Sequence, residues 1–581
     1  MILKPDRLLL GMAPSDQFGI EVSTAGDVNA DGDADVLIGA FQSGDNDEGA
    51  AYVYFGGPDG LSDVPDWVYQ HDVYRENFGR AVRSAGDVNG DGYDDIMIGA
   101  PTFTSDPADE TLGSSYVFFG GPDGPSLTID WSVTSPQFGD RFGRAVGGVG
   151  DVDGDGFDDI MVSGYFHDIV FENEGGLIVY EGSAAGPSLH HDWTALGGGT
   201  GAGLGWGAGA AGDVNGDGYA DVLGGAPKFD AGNGIEGQLM VYYGSADSLP
   251  GTPSWTYRMG DSGSELGRSV GAAGDVNGDG YDDIIAGARN ADDPAGVLKA
   301  GAALVFLGSA EGLAETPVWT TFGDHSLSFY GNYVAGIGDI NGDGFDDIAV
   351  GSPGAQSFTG QVHIFLGSAN GPETEAALVL EGVSRGSAFG FSVWGAGDTD
   401  GDGLDDMVVG SPFFSDNGMK NGGAAMIYTG ATLTTAINYE TPGIIAGTVM
   451  DETVTGTTAD EMIFGHGGID TISGGGGRDV FVIAPNSPVV IIEDFDGADD
   501  IVDFSMFEIT IDDLSGGITS EGDLIINAIS TEVVLRGIRD ASQFNQDRNL
   551  AFYTSSPLDE DPAPLEDPSA AIMPPDGDAL M

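Results

Sequence analysis

The sequence predicts an all-β protein, a seven-bladed β-propeller followed by a small β-rich domain, and three observations carry that prediction. One acidic phrase recurs seven times, beginning at Asp27, Asp87, Asp151, Asp213, Asp275, Asp339 and Asp398, at intervals of 59 to 64 residues. Glycines and bulky apolar residues hold constant offsets around every phrase. Each interval also holds short β-branched and aromatic runs, enough for about four strands, which is one blade.

The offsets justify the elements in turn. Eight residues before each first Asp stands a glycine, at 19, 79, 143, 205, 267, 331 and 390, and each follows Phe, Leu or Tyr. Twelve residues after the first Asp stands another glycine in six copies, with Ser163 in its place in the third. Next come YVYFGG, YVFFGG, LIVYEGS, LMVYYGS, ALVFLGS, VHIFLGS and AMIYTGA, which read as buried strands closed by a turn glycine. Eleven residues past that glycine stands Trp67, Trp131, Trp193, Trp255 or Trp319, then Leu378 in the sixth copy and Thr441 in the seventh.

The seventh copy therefore lacks a fourth strand of its own. Counting twelve back from Gly19 gives Arg7, followed by Leu8, Leu9 and Leu10, in fourth-strand register without a repeat to belong to. The N-terminal segment is predicted to complete the last blade and close the ring, removing the exposed edges of an open array.

In DVNGDGYDD, side-chain oxygens fall at positions 1, 3, 5 and 9 and position 7 offers a backbone carbonyl, while glycine at 4 and 6 lets the chain wrap. A hard cation taking six to eight oxygens calls for such a donor set, and calcium suits it better than magnesium, which keeps its waters. The candidate ligands are Asp27, Asn29, Asp31, Asp33 and Asp35; Asp87, Asn89, Asp91, Tyr93 and Asp95; Asp151, Asp153, Asp155, Phe157 and Asp159; and Asp213, Asn215, Asp217, Tyr219 and Asp221. The last three loops add Asp275, Asn277, Asp279, Tyr281 and Asp283; Asp339, Asn341, Asp343, Phe345 and Asp347; and Asp398, Asp400, Asp402, Leu404 and Asp406. An EF-hand would need Glu at position 12 between two helices, and here that position is aliphatic or Gly inside strand-like runs. Dockerin-like modules share the phrase but continue into a helix. A solvated Asp/Gly turn does not account for seven intact copies.

These residues resemble the FG-GAP repeats of the integrin alpha-subunit β-propeller. Phe-Gly opens FGRAVRSAGDVNGDGYDDIMIGAP and FGFSVWGAGDTDGDGLDDMVVGSP, and Gly-Ala-Pro or a variant ends the second strand. The resemblance covers residues 1 to about 440 and implies about seven calcium ions in the propeller. It does not extend to leg domains or a membrane anchor, and the chain has no RGD tripeptide.

Beyond about residue 440 the period changes. GTTADEMIF, GHGGIDTIS and GGGGRDVFV place Glu461, Asp470 and Asp479 at the sixth position of successive nonapeptides, and Ile463, Ile472 and Phe481 at the eighth. They resemble the calcium-binding repeat of RTX proteins, which implies a parallel β-roll that buries the eighth residue, with Glu461 and Asp479 facing a shared ion. The stretch after it resembles the β-rich cap of type I secreted proteins, in which Asp494, Asp499, Asp500 and Asp503 offer donors for another ion but read first as solvated turns. The domains are thus 1–440 propeller, 441–554 RTX-like roll and cap, and 555–581 an acidic, proline-rich tail expected to be disordered. The resemblance implies an uncleaved C-terminal signal read by type I secretion machinery, with folding outside the cell as calcium rises.

Composition excludes several partners. A formal charge of −75, from 93 acids against 18 bases, repels nucleic acid and anionic lipid. No apolar run is long enough to span a membrane, the N-terminus lacks a cleavable signal's apolar stretch, and there is no cysteine for disulfides or thiolate sites. No catalytic residue is assigned: His190 and His191 read as a surface turn, and neighbours such as Asp94 and Asp95 point to opposite faces of a strand. The expected function is a secreted or cell-surface calcium-binding protein that mediates adhesion by holding an extracellular protein or glycan. A structural surface-coat or matrix protein is the alternative, and an accessory propeller of a phospholipase-like hydrolase a further one.

Overall fold

Each acidic phrase links the first two strands of a four-stranded antiparallel sheet. In the second blade these strands are Ala81–Gly86, Asp95–Ala100, Ser114–Phe118 and Trp131–Thr134, paired in chain order. A computed structural model describes residues 3–44, 47–58, 60–102, 112–232, 234–415, 419–440, 443–446, 453–456, 461–464, 469–476, 479–483, 489–495, 500–503, 514–518, 523–528, 531–536 and 550–551. They fall into two units, one ending at Ala436 and one beginning at Ile437.

The first unit is a seven-bladed propeller. Its seven first strands contact one another in a closed ring, with Val22–Gly26 touching both Ala81–Gly86 and Ser392–Gly397, and so surround a central channel. Second strands are buried along their whole length and third strands nearly so, with Gln238, Gln361 and His363 half-buried, whereas fourth strands such as Trp67–Gln70 alternate between buried and exposed. That contrast explains why the middle runs are continuously apolar and the outer ones are not.

The invariant glycines lie where neighbouring blades touch. A Cβ on Gly39 would stand 2.1 Å from the carbonyl oxygen of Gly79 in the next blade, and Gly79 itself has φ +81°. Both positions require glycine, for contact and for conformation respectively. The third blade solves the contact differently, because Ser163 donates its hydroxyl to the Gly205 carbonyl at 2.7 Å. On the outer strands, the indole N–H groups of Trp67, Trp131, Trp193, Trp255 and Trp319 donate to backbone carbonyls of the following blade at 2.9 to 3.1 Å.

The seventh sheet is assembled from both ends of the unit. Arg7–Leu10 pairs antiparallel with Ala424–Tyr428, and Arg7 stands where the first five blades carry tryptophan and the sixth carries Leu378. Its Nε donates to the Leu61 carbonyl at 3.0 Å, the same kind of seam contact that the indoles make. With the fourth-strand place taken, the chain leaves Ala424–Tyr428 as a helix, Gly430–Glu440, which the strand periodicity did not anticipate. The helix starts at Thr429, whose Oγ1 accepts the Thr432 N–H at 3.3 Å, and Asp6 accepts the Thr429 N–H at 2.9 Å.

In the second unit successive strands alternate between two sheets. Gly443–Ala446, Glu461–Phe464, Val480–Val482, Ile501–Asp503 and Leu550–Ala551 form one in parallel. Thr453–Thr455, Ile469–Ser473, Val489–Ile492 and Thr531–Leu535 run parallel in the other, which Leu524–Ala528 and Leu514–Ile518 extend antiparallel. Ile463, Ile472 and Phe481 are fully buried in its apolar core. Asp499 and the tail from Ser555 lie outside the described residues.

Candidate metal centre

The local fold of each acidic loop follows from short polar side chains bonding their own backbone. In the second blade the Asp87 carboxylate accepts the N–H groups of Asp91 (3.0 Å) and Gly92 (2.9 Å), Asn89 Oδ1 accepts the Asp91 N–H (2.9 Å), and Asp91 Oδ1 accepts the Tyr93 N–H (3.2 Å). Equivalent bonds recur at Asp27, Asp151, Asp213, Asp275, Asp339 and Asp398. The sixth-position glycine has φ near +90°, for example Gly92, and nothing lies close enough to clash with a side chain there. Backbone conformation alone demands the glycine.

The ninth-position aspartate is the first residue of the second strand and is fully or almost fully buried in every blade. Asp95 accepts the Val88 N–H at 3.1 Å and the Gly120 N–H at 2.8 Å, tying the loop to the turn after the third strand. Asp35, Asp159, Asp221, Asp283, Asp347 and Asp406 each hold the equivalent pair. Burial pushes the carboxyl pKa up to about 7 at Asp35, Asp159, Asp221, Asp283 and Asp406, and to about 8 at Asp95 and Asp347. The bonded backbone N–H groups oppose the rise and nearby aspartates add to it.

The seventh-position residues line the seams between blades. The Phe157 ring lies where a Cβ on Gly90 of the preceding loop would be, at 2.6 Å, and Tyr219, Tyr281 and Phe345 stand likewise against Gly154, Gly216 and Gly278. These side chains pack on a neighbouring loop, which leaves their carbonyls as the groups to offer a cation.

Periodicity read along single repeats missed the eighth position. Asp94, Asp158, Asp282, Asp346 and Asp405 each accept the position-1 N–H of the preceding loop, at 2.7 to 2.9 Å. The eighth residue's own N–H donates to the position-1 carbonyl of that loop in all seven blades, from Asp94 onto Asp27 round to Ala34 onto Asp398. Two blades carry alanine at this position, Ala34 and Ala220. The loops they face are those beginning at Asp398 and Asp151, which have Asp400 and Asp153 where the other five have asparagine. A carboxylate is therefore supplied from within the loop or from the next blade, once in every case, and comparing neighbouring copies would have exposed that reciprocity.

The same two loops draw their carboxylates closest together. Asp151, Asp153 and Asp159, and separately Asp398, Asp400 and Asp402, offer oxygens within 4.8 Å of one another, the groups of three that converge among the described residues. Oxygen donors alone, gathered around a wrapped backbone, fit a hard divalent cation. Burial and, next, the neighbouring acids hold the Asp153 and Asp400 carboxyls above their usual range, and a bound cation would reverse that shift.

In the second unit, strand register sets residue 461 level with residue 479, while Asp470 belongs to the other sheet. Asp470 and Asp479 are buried, the Asp479 N–H donates to Asp500 at 2.9 Å, and the Glu461 side chain lies outside the described residues. Asp494 accepts the Gly474 and Gly475 N–H groups, both at 2.9 Å. His190 and His191 are exposed, and Asp94 and Asp95 diverge, one to the preceding blade and one inward. Among the described residues no helix is long and apolar enough to cross a membrane.

Seven linked loops on a closed ring of sheets define a repeat propeller whose blade connections are built from oxygen donors. The FG-GAP repeat profile matches residues 18–54, 78–118, 205–242, 266–306 and 331–365. Integrin alpha pat-2 of Caenorhabditis elegans is 32% identical over 241 residues, covering 39% of this chain and 18% of that protein. Integrin alpha-5 of Xenopus laevis is 31% identical over 244 residues (40% and 22%), and integrin alpha-IIb of Mus musculus 35% over 211 (35% and 19%). The chain carries FG-GAP repeats folded as an integrin-alpha-like β-propeller and spans about a fifth of the length of these relatives. The solution structure of the AlgE6R3 subunit of the Azotobacter vinelandii mannuronan C5-epimerase overlaps 19% of this chain and 83% of its own at 21% identity, with a TM-score of 0.13.

Proposed function

We propose that this chain is a secreted or cell-surface calcium-binding propeller that holds another protein or a glycan in adhesion. The observation that carries the reading is the constancy of the seven loops, each with the same inward-turned oxygens and one supplementary carboxylate. Seven divalent ions offset only a small part of the −75 charge, so calcium organises the loops and the remaining acidity keeps the surface solvated. The alternating parallel strands of the second unit, with Ile463, Ile472 and Phe481 at their core, support an RTX-like β-roll and, with it, export through type I secretion machinery. Inside the cell, low calcium would leave the loops mutually repelling and delay folding until release.

The test is calorimetric titration of chelated protein with calcium, followed by capture of partners from the native environment with and without EGTA. Saturable calcium uptake and a defined partner held only in calcium support the proposal. Absence of uptake, or hydrolytic turnover by the purified protein, overturns it.

A further inference from the structure

The third and fourth positions of the acidic loops carry a chemistry that cation binding does not use. Four loops place asparagine before glycine there, at Asn89, Asn215, Asn277 and Asn341, and the first loop places Asn29 before Ala30. An asparagine side chain cyclises when the backbone nitrogen of the next residue attacks its Cγ. A following glycine, with no Cβ to crowd the approach, permits this most readily.

The fold separates these asparagines although their sequences are alike. In all five loops the asparagine Oδ1 accepts the N–H two residues on, at 2.8 to 2.9 Å. That bond keeps Cγ beside the chain, and it donates to the oxygen on which negative charge gathers as the carbon is attacked, as an oxyanion hole does. The attacking nitrogen differs from loop to loop. Gly90, Gly216 and Gly278 are exposed, and among the described residues their N–H groups have no acceptor. The Gly342 N–H instead donates to Asp339 Oδ1 at 2.7 Å, which holds its nitrogen away from Asn341. Asn277 is intermediate, because its own amide nitrogen donates to Asp279 at 3.0 Å. Outside the loops Asn370 also precedes a glycine, but the Gly371 N–H is tied to the Ser368 carbonyl at 2.7 Å.

We propose that Asn89 and Asn215 are modification sites, converted to aspartate and isoaspartate by their own loops when no cation is bound. The Gly90 or Gly216 nitrogen forms a bond to the asparagine Cγ and gives up its proton, the Cγ–Nδ2 bond breaks, and the amide nitrogen leaves as ammonia. Water then opens the cyclic imide at either carbonyl, giving aspartate or, with the backbone lengthened by one methylene, isoaspartate. Aspartate makes the third position like Asp153 or Asp400, but in loops to which Asp158 and Asp282 already supply a carboxylate. Isoaspartate moves the later ligands out of register. A cation holding several loop oxygens fixes Cγ more firmly than one hydrogen bond does, so calcium protects both sites, and time spent without it is recorded in the two loops. The protection rests on the calcium reading; the cyclisation does not.

The test incubates the full chain at neutral pH in EGTA, with its native fold checked by circular dichroism, and in parallel in saturating calcium and in urea, while peptide mass spectrometry follows each asparagine. If EGTA unfolds the chain, limiting calcium that leaves loops empty in folded protein replaces it. In urea the asparagines before glycine should react within about threefold of one another, whereas in the folded, calcium-poor chain Asn89 and Asn215 should outpace Asn341 and Asn370 at least about tenfold, the effect of one hydrogen bond that must first be released. Calcium should slow Asn89 and Asn215 by at least about tenfold. Ala30→Gly, at a position whose φ is already +56°, should keep the fold and make Asn29 reactive. Equal rates at Asn89, Asn215, Asn341 and Asn370 in the folded chain, no reaction at Asn89 and Asn215, or an inert Asn29 in the Ala30→Gly variant overturns the proposal. Equal rates with and without calcium overturn it when calorimetry shows calcium uptake; when uptake is absent as well, the calcium reading fails and the cyclisation stands.

Discussion

The carboxylate of Asp94 accepts a 2.8 Å hydrogen bond from the backbone N–H of Asp27, 67 residues earlier and one blade back. The contact seats a negative charge against a loop whose third position is the neutral Asn29. Where the next blade offers Ala220 or Ala34 instead, the third position is Asp153 or Asp400. The two arrangements are alternatives for one task, supplying an additional carboxylate to the loop.

The exchange predicts a rescue. Asp94→Ala should lower stability in calcium by about 1–2 kcal/mol, since it orphans the Asp27 N–H and removes a charge that assists the cation. Adding Asn29→Asp should restore most of the calcium-dependent part, reproducing the pattern of the loop at Asp151. A double-mutant cycle on melting temperature measures the coupling, and strict additivity would contradict the exchange.

Chelation should destabilise the propeller broadly. With free calcium at ten times Kd each site adds about 1.4 kcal/mol, so seven contribute about 10 kcal/mol, enough to move the melting temperature of a domain this size by about 10 °C. Scanning calorimetry in calcium and in EGTA reads the shift directly. Identical thermograms would exclude occupied loops.

Without calcium, pH takes over part of the cation's role. Burial raises the ninth-position carboxyls to about 7 or 8, above the unfolded value of about 4, so the folded state holds those protons more tightly. Their favourable contribution is fully present below the unfolded pKa and is lost as pH rises through the folded one. Melting temperature in EGTA should therefore fall between pH 5 and pH 8, and calcium should flatten the profile by stabilising the ionised form. A flat profile in EGTA would show that these carboxyls titrate normally.

Ring closure should depend on the first residues. Deleting residues 1 to 12 removes the strand that covers Ala424–Tyr428 and bares a sheet edge, so a large drop in melting temperature, with self-association by light scattering, is expected. Arg7→Ala removes the bond to Leu61 together with the exposed ion pair to Asp63 and the bond to the Asp6 carbonyl, and should cost about 1 kcal/mol. An unchanged melt in the deletion would mean that the seventh blade holds with three strands.

Much of this architecture is legible one repeat at a time. The offsets of Gly19, Asp27 and Gly39 along the chain encode strand, loop and strand, because hairpins and Asx turns are built from near neighbours, and counting back from Gly19 to Arg7 marks a strand without a repeat. Harder to see are relationships across seams: Asp94 against Asp27, Ser163 turning a clash into a bond with Gly205, the helix that leaves the seventh blade, and arginines from three blades meeting two tryptophans inside the ring. Their partners lie tens to hundreds of residues apart, and which of them meet depends on the curvature of a closed ring. Local pattern carries no information about that until seven sheets have packed edge to edge.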